Sequence, residues 1–268
     1  MKNVTPYERL EEMCCTPEGK NRKHSVVGDF EITKRVNFIC NALTSMGVAY
    51  EIDQFQDNRA ATLDEQFEGL ELLYFNIEVT IKANVETDDT LMFIAHHDVN
   101  NVTSENCQDN TASIVNVLNL CERIKGRELD KNISFVFTDC EEFGGLGAER
   151  LSERINSGVF GNVLCVVNSE LTALGRSIWL ESKEFAGDYL IEKLGDLEVT
   201  EKRTPFNDSV ILRKYGIESV CFGILPEAEL NAPGYPRTWM LCHSNHDTFD
   251  KSNESDMIAY VDFLETLI

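Results

Sequence analysis

Three short apolar runs each end in residues that can bind a metal. LMFIA (91–95) leads into His96-His97-Asp98, ISFVFT (133–138) into Asp139-Cys140-Glu141-Glu142, and VLCVV (163–167) into Asn168-Ser169-Glu170. Runs of this length, rich in β-branched and aromatic residues, read as strands buried on both faces. Helical patterns lie between them. TASIVNVLNLCERIK puts Ile114, Val117, Leu118, Cys121 and Ile124 on one face, and GLGAERLSERI follows the second run. Strands alternating with helices predict an α/β fold with a mostly parallel central sheet. Ligands of such sheets collect beyond the carboxyl ends of the strands. The three runs therefore deliver imidazole and carboxylate groups to one rim.

The flanking segments extend the pattern. TPYERLEEMCC has a helix cap at Thr5 and a proline at the first helical position. ITKRVNFICNALTSMG carries Val36, Ile39 and Leu43 at helical spacing and stops at Gly47. AYEIDQF, ELLYFNIEVTIKA, SIWLES and SVCFGIL read as strands, and EFAGDYLIEKLG and ESDMIAYVDFLETLI as helices. The long run at 71–83 starts as an antiparallel hairpin with its neighbour, which makes the sheet mixed. No repeat, low-complexity tract or Pro/Gly/Ser linker divides the chain, so residues 1–268 are expected to form a single domain.

Charge and cysteine usage narrow the function classes. With 46 acidic against 24 basic residues the net charge is -22, which disfavours nucleic acid and anionic membrane surfaces as partners. Nine cysteines, including the adjacent Cys14 and Cys15, follow no CxxC or zinc-finger spacing, and Cys121, Cys140, Cys165 and Cys221 sit inside apolar runs. They read as buried free thiols of a reducing compartment. The N-terminus has no apolar signal core, and no run approaches about 18 apolar residues. The expectation is a cytoplasmic protein. A chain of 268 residues buries a core without help from metals, so a metal here serves chemistry.

Two further deposits join the three strand ends: QDN at 108–110, starting the helix after the first run, and CHSNHDTFD at 242–250, with two of the five histidines. Taken singly, each is ordinary. An acid after a strand usually makes a turn or caps a helix, and adjacent acids are usually solvated. Five such deposits at sheet-edge positions are a different matter. Imidazole with carboxylate suits zinc and related ions, whereas all-oxygen calcium or magnesium sites need no histidine. There is no G-x-S-x-G, no cysteine with a supporting motif, and no G-x-x-x-x-G-K; Gly144, Gly145 and Gly147 read as the turn opening the next helix.

Read in order, AHHDV, QDNTAS, CEEFGGLGAERL, NSELTALG and HSNHDTFDK resemble the zinc aminopeptidases of the M28 peptidase family over about residues 91–250. TPFNDSVILRKYGIESVCFGI is similar to the family segment in which a loop bearing Ser/Thr and Asp precedes a buried strand. The resemblance implies a three-layer α/β/α sandwich of the zinc-exopeptidase type without a lid domain. It implies two zinc ions. Asp109 would bridge them, His96 and Glu170 would complete one site, and Glu142 and His243 the other. Asp98 would orient His96, and Glu141 would be the general base. His246 falls outside the pattern's histidine position and reads as a loop residue near substrate. His97 stands where the family often has an aromatic residue, and Glu170 where aspartate is common.

The charges agree with this set. Asp109, Glu142 and Glu170 balance two divalent ions and one hydroxide, whereas bare clustered carboxylates would raise one another's pKa values. The expected substrate is a short peptide with a free N-terminus. Three alternatives stay open at this point. They are a glutaminyl-cyclase-like acyltransferase with one zinc, another dinuclear amidohydrolase or carboxypeptidase on the same fold, and a non-catalytic relative.

Overall fold

The computed structural model of the chain describes residues 5–15, 25–26, 33–63, 67–195, 197–204 and 206–268, and the side chain of Cys15 lies outside this set. The strands among these residues are β1 (Ser25–Val26), β2 (Glu51–Gln56), β3 (Leu72–Ile81), β4 (Asp89–His96), β5 (Asn132–Thr138), β6 (Asn162–Ser169), β7 (Ser177–Leu180), β8 (Val199–Glu201) and β9 (Ser219–Leu225). The α-helices are α1 (Pro6–Cys15), α2 (Lys34–Met46), α3 (Ala112–Ile124), α4 (Leu146–Asn156), α5 (Gly187–Leu194), α6 (Asp208–Lys214), α7 (Glu227–Leu230) and α8 (Glu254–Thr266).

All nine strands form one sheet in the order β1-β3-β5-β4-β6-β9-β7-β8, with β2 also paired to β3. Its middle, β5-β4-β6-β9, is parallel. The three runs that end in ligand residues are β5, β4 and β6, side by side and pointing the same way. Antiparallel pairing flanks them, β3 against β5 on one side and β7 against β9 on the other. The expected hairpin is β2–β3, with Glu51 opposite Glu78 and Gln56 opposite Leu73.

Both faces of the sheet are covered, which is why its central strands are apolar throughout. Leu91, Phe93 and Ala95 of β4 join a core with Val36, Ile39 and Leu43 of α2, Ile114, Val117 and Leu118 of α3, and Tyr260, Val261 and Leu264 of α8. Met92 and Ile94 point the other way, to Ala148 and Leu151 of α4 and Ile211 and Leu212 of α6. The period of two along one strand thus feeds two helix layers. The result is the three-layer sandwich.

Local signals behaved as chemistry dictates. Thr5 Oγ1 accepts from the Glu8 N–H at 3.1 Å and Glu8 Oε2 accepts from the Thr5 N–H at 2.8 Å, a reciprocal capping box that starts α1. Gly47 ends α2 in the left-handed conformation. The segment before β9 departs from the expectation of a loop, because Asp208–Lys214 is helical. Its N-cap Asn207 accepts from the Ser209 N–H at 2.9 Å. Only two turns long, α6 was hidden because so short a helix shows little periodicity. Strand β8 was also unanticipated, at three residues. No helix among the described residues is long and apolar enough to cross a membrane.

Candidate metal centre

His96 is the last residue of β4, buried to 1% exposure. Its Nε2 lies 3.2 Å from Asp109 Oδ1 and 3.4 Å from Glu170 Oε2, and its Nδ1 lies 3.2 Å from Asp98 Oδ1. Asp98 does more than face one ring. Its two oxygens also accept the backbone N–H groups of Glu141 at 3.0 Å and Glu142 at 3.1 Å. One carboxylate therefore sets the imidazole's orientation and holds the turn after β5 against the end of β4.

On the other side of Asp109, His243 Nε2 lies 3.2 Å from Asp109 Oδ2 and 2.8 Å from Glu142 Oε2. The ligand atoms of His96, Asp109 and Glu170 all fall within 4.8 Å of one another, and so do those of Asp109, Glu142 and His243. Asp109 belongs to both groups. The five expected ligands and Glu141 line one cavity of about 380 Å³ beyond the carboxyl ends of the parallel strands.

Asp109 itself sits in the kinked turn Cys107–Thr111 just before α3, where its own backbone and that of Asn110 are not helical, and its peptide bond to Asn110 is cis. The turn is held from two directions. Asp247 accepts the Gln108 N–H at 2.6 Å and the Asp109 N–H at 3.0 Å. Arg35, buried in the first turn of α2, donates from Nη2 to Thr111 Oγ1, which in turn donates to the Asn106 carbonyl at 2.6 Å. Thus the fourth residue after His243 anchors the backbone of Asp109, and a segment from the first seventy residues supplies a buried cation beside the acids.

Backbone strain concentrates here. The non-glycine residues with positive φ among the described ones are Asn106, Cys140, Leu171 and His243. Cys140 precedes Glu141, Leu171 follows Glu170, Asn106 precedes the turn of Asp109, and His243 is itself in the set. Such conformations cost about 1–3 kcal/mol each and persist where surrounding structure over-determines them. A fold that needed only stability would not place them together.

The electrostatics point the same way. Burial, aided by repulsion from Asp109, pushes the Glu142 carboxyl up to about 7, while His243 pulls it down. Hydrogen bonds to Asp109 and Glu142 lift the His243 imidazole to about 10. Burial raises Glu141 well above the carboxylate range, and the charges of Glu170, Asp208 and Glu142 add to this against the pull of His96. Beyond the ligand groups, Asp208 is fully buried and raised to about 7 by burial, although Thr138 Oγ1 donates to it at 2.5 Å. Protons on the two imidazoles stand where a larger positive charge would satisfy more of these oxygens. Glu142 Oε1 is buried without a hydrogen-bond partner. The donor set, two imidazoles with three carboxylates, suits zinc-like ions.

The remaining histidines of the two motifs are placed apart from this set. His97 Nε2 donates to the Phe75 carbonyl at 2.8 Å, and burial lowers its pKa to about 4. It is a neutral core residue tying β4 to β3. His246 is an exposed loop residue and is not among the residues that line the cavity. Sequence reasoning also missed Arg35, the clamp role of Asp247, and the cavity wall formed by Trp179, Phe206 and Tyr235. Of these only Asp247 left a trace, as the aspartate of the H-x-x-x-D spacing.

Gly223 shows how tightly the end of β6 is held. A Cβ there would approach the Glu170 carbonyl oxygen to 2.1 Å and Trp179 Cζ2 to 2.5 Å. Gly223→Ala should destabilise the protein by about 1–3 kcal/mol or more through overpacking. A denaturant titration checks this, and a variant as stable as the parent would show that β6 and β7 can part.

Residues 76–267 match the sequence model of peptidase family M28. The alkaline phosphatase isozyme conversion protein of Escherichia coli (strain K12) is 31% identical over 106 residues, which are 39% of this chain and 31% of that protein's length. Among solved structures, the fold is similar to BSAP, a zinc aminopeptidase from Bacillus subtilis, with a TM-score of 0.73 and 11% identity over 98% of this chain and 93% of that one. It is equally similar to a Bacteroides thetaiotaomicron glutaminyl cyclase bound to N-acetylhistamine, with a TM-score of 0.75 and 15% identity over 98% and 96% of the two chains. At these identities the structural likeness is one of fold.

Proposed function

The chain belongs to peptidase family M28, and from that premise we propose that it is a zinc-dependent aminopeptidase that removes the first residue of short peptides. The observation that carries this reading is the shared carboxylate. Asp109 reaches His96 with one oxygen and His243 with the other, at 3.2 Å each. Each imidazole has a second carboxylate partner, Glu170 or Glu142. Two ions would be held in this way, one by His96, Asp109 and Glu170 and the other by Asp109, Glu142 and His243. Bound there, they supply the positive charge that acidifies water and polarises a scissile carbonyl.

The protein's own groups do the rest. Asp98 Oδ1 faces the His96 Nδ1 at 3.2 Å and so favours the ring orientation that turns Nε2 toward Asp109 and Glu170. Asp247 keeps the Asp109 backbone in place through two N–H contacts. Glu141 carries the proton. Its carboxylate lines the cavity, pairs with neither imidazole, and is raised by burial toward the range where it can accept a proton from water and give it to the departing amine nitrogen.

Charge chooses the end of the peptide. Among the described residues no lysine or arginine lines the cavity, whereas four carboxylates do. A substrate's ammonium group is attracted there, and a C-terminal carboxylate would lack the basic partner that its recognition calls for. That favours an aminopeptidase over a carboxypeptidase on the same scaffold. The eight described cysteines are free thiols, which supports a cytoplasmic, reducing setting.

The test is metal analysis of the purified protein together with a panel of amino-acid amides and their N-acetylated counterparts. Two zinc ions per chain and cleavage confined to free amines are expected. Equal cleavage of blocked substrates would remove the aminopeptidase reading. A single tightly bound zinc, with ammonia released from N-terminal glutaminyl peptides and no hydrolysis, would replace it with the cyclase reaction.

A further inference from the structure

We propose that Cys14 and Cys107 form an oxidative modification site: a peroxide joins them in a reversible disulfide, and that bond weakens zinc binding at the neighbouring metal centre. The effect on zinc rests on the reading of the centre given above, whereas the disulfide does not.

Cys107 opens the turn that carries Asp109, and it is 1% exposed. It packs with Leu10 of α1 and Val115 of α3, and Cys14, one helical turn beyond Leu10, lies against the same cluster. The two thiols are hydrogen-bonding neighbours, and Ser252 also hydrogen-bonds Cys107. Cys14 is part-exposed. An oxidant therefore reaches one thiol of the pair, and the second waits inside the protein. Cys121, Cys140, Cys165 and Cys221 are fully buried, which shields them.

Arg35 marks Cys14 as the reactive member. Its Nη2 donates to Thr111 Oγ1, while Nε and Nη1 are buried with no hydrogen-bond partner. A Cys14 thiolate is the strongest of the anionic neighbours that this guanidinium feels, ahead of Asp98, Asp247 and Asp109. Cysteine meets peroxides as its thiolate, and a cation beside the sulfur favours the attack.

The step balances with peroxide as the oxidant. The Cys14 sulfur attacks one oxygen of hydrogen peroxide. An S–O bond forms, the O–O bond breaks, and water leaves with the thiol proton, giving the sulfenic acid. The Cys107 sulfur then attacks the Cys14 sulfur. The S–S bond forms, the S–O bond breaks, and the hydroxyl departs as water with the Cys107 proton. The electron pair given up by the two thiols ends on the peroxide oxygens, and a dithiol can restore it.

The bond acts on zinc through the turn. It draws the two sulfurs closer than a hydrogen bond does, so the start of the turn moves toward α1. That motion pulls against Asp247, which holds the N–H groups of Gln108 and Asp109. In the reduced chain the ligand atoms on both sides of Asp109 already converge within 4.8 Å. Displacing Asp109 from that arrangement loosens both groups.

The experiment treats the full zinc-loaded chain with stoichiometric hydrogen peroxide. Peptide mapping should find Cys14 joined to Cys107, with both thiols recovered after dithiothreitol. Zinc affinity, read by competition with a chromophoric chelator, should fall about 10–100-fold on oxidation and return on reduction, the range for disturbing an outer contact of a metal ligand. Cys14→Ser should bind zinc as the parent does and keep that affinity through the peroxide treatment. Linkage adds a measurement on the unaltered chain. In a glutathione redox buffer, saturating zinc should shift the equilibrium toward the thiols by the factor that the affinity loses on oxidation. A Cys107 that stays a thiol, or pairs with Cys15 instead, overturns the proposal, as does a disulfide that leaves zinc affinity unchanged. Those results leave the aminopeptidase reading standing. Reversible zinc release from a chain inert toward amides does the reverse. A chain that binds no zinc in either state overturns both.

Discussion

Glu141→Gln should leave the metal content unchanged and lower kcat by about 10²–10⁴-fold, the range associated with loss of a positioned proton carrier. The amide keeps the size and shape of the carboxyl. The backbone N–H of residue 141 still donates to Asp98, so the turn holding Glu142 is undisturbed. What disappears is the ability to accept and return a proton. The same change removes one charge from a cluster that burial and repulsion already disfavour. The metal-free variant should therefore melt no lower than the parent. Zinc stoichiometry, single-turnover hydrolysis and thermal melting of the metal-free protein are the three measurements. Hydrolysis at the parental rate would take the proton-carrying role away from Glu141. A fall in bound zinc would instead place its carboxylate among the ligands.

Asp109→Ala should cost both ions. The two ligand groups share this residue and no other, so its removal leaves His96 with Glu170 and His243 with Glu142, two donors each. Structural zinc sites take four ligands and catalytic sites three plus water, and two donors fall short of either. Bound zinc should drop from two per chain to near zero, and the rise in Tm on adding zinc should vanish with it, because a ligand stabilises a protein only through the sites it binds. Glu170→Ala and His243→Ala each touch one group and should leave about one ion. His246→Ala, exposed and away from the cavity, should leave both. This series separates one ion from two. Should the parent hold one zinc, lost with His243→Ala but not with Glu170→Ala, the centre is mononuclear and the bridging role of Asp109 is wrong.

The two tests probe residues that differ in how they could be found. His96, Glu141, Glu142 and Glu170 follow apolar runs within a few positions, and the rule that α/β sheets gather ligands past their strand ends needs only that local order. The three layers were legible for the same reason. Alternation along β4 and the helical stripe on α3 are short-range patterns, and both survive in the structure as the two cores. Helix α6 was not legible, because seven residues hold too little periodicity to be told from a loop.

By itself the sequence determined which groups of atoms were available and on which rim of the sheet they would emerge. Consecutive residues settle strand, helix and turn, and so settle that much. Only the tertiary structure decided that His97 donates to Phe75 and belongs to the core, that Asp247 grips the backbone of Asp109 across 138 residues of chain, and that Arg35 lies beneath the same turn. It also decided that Trp179, Phe206 and Tyr235 meet around one cavity. These contacts join segments far apart in the chain. Neighbours in sequence carry no record of which distant side chain will close against them, because packing in three dimensions, with its charge and volume constraints, makes that choice.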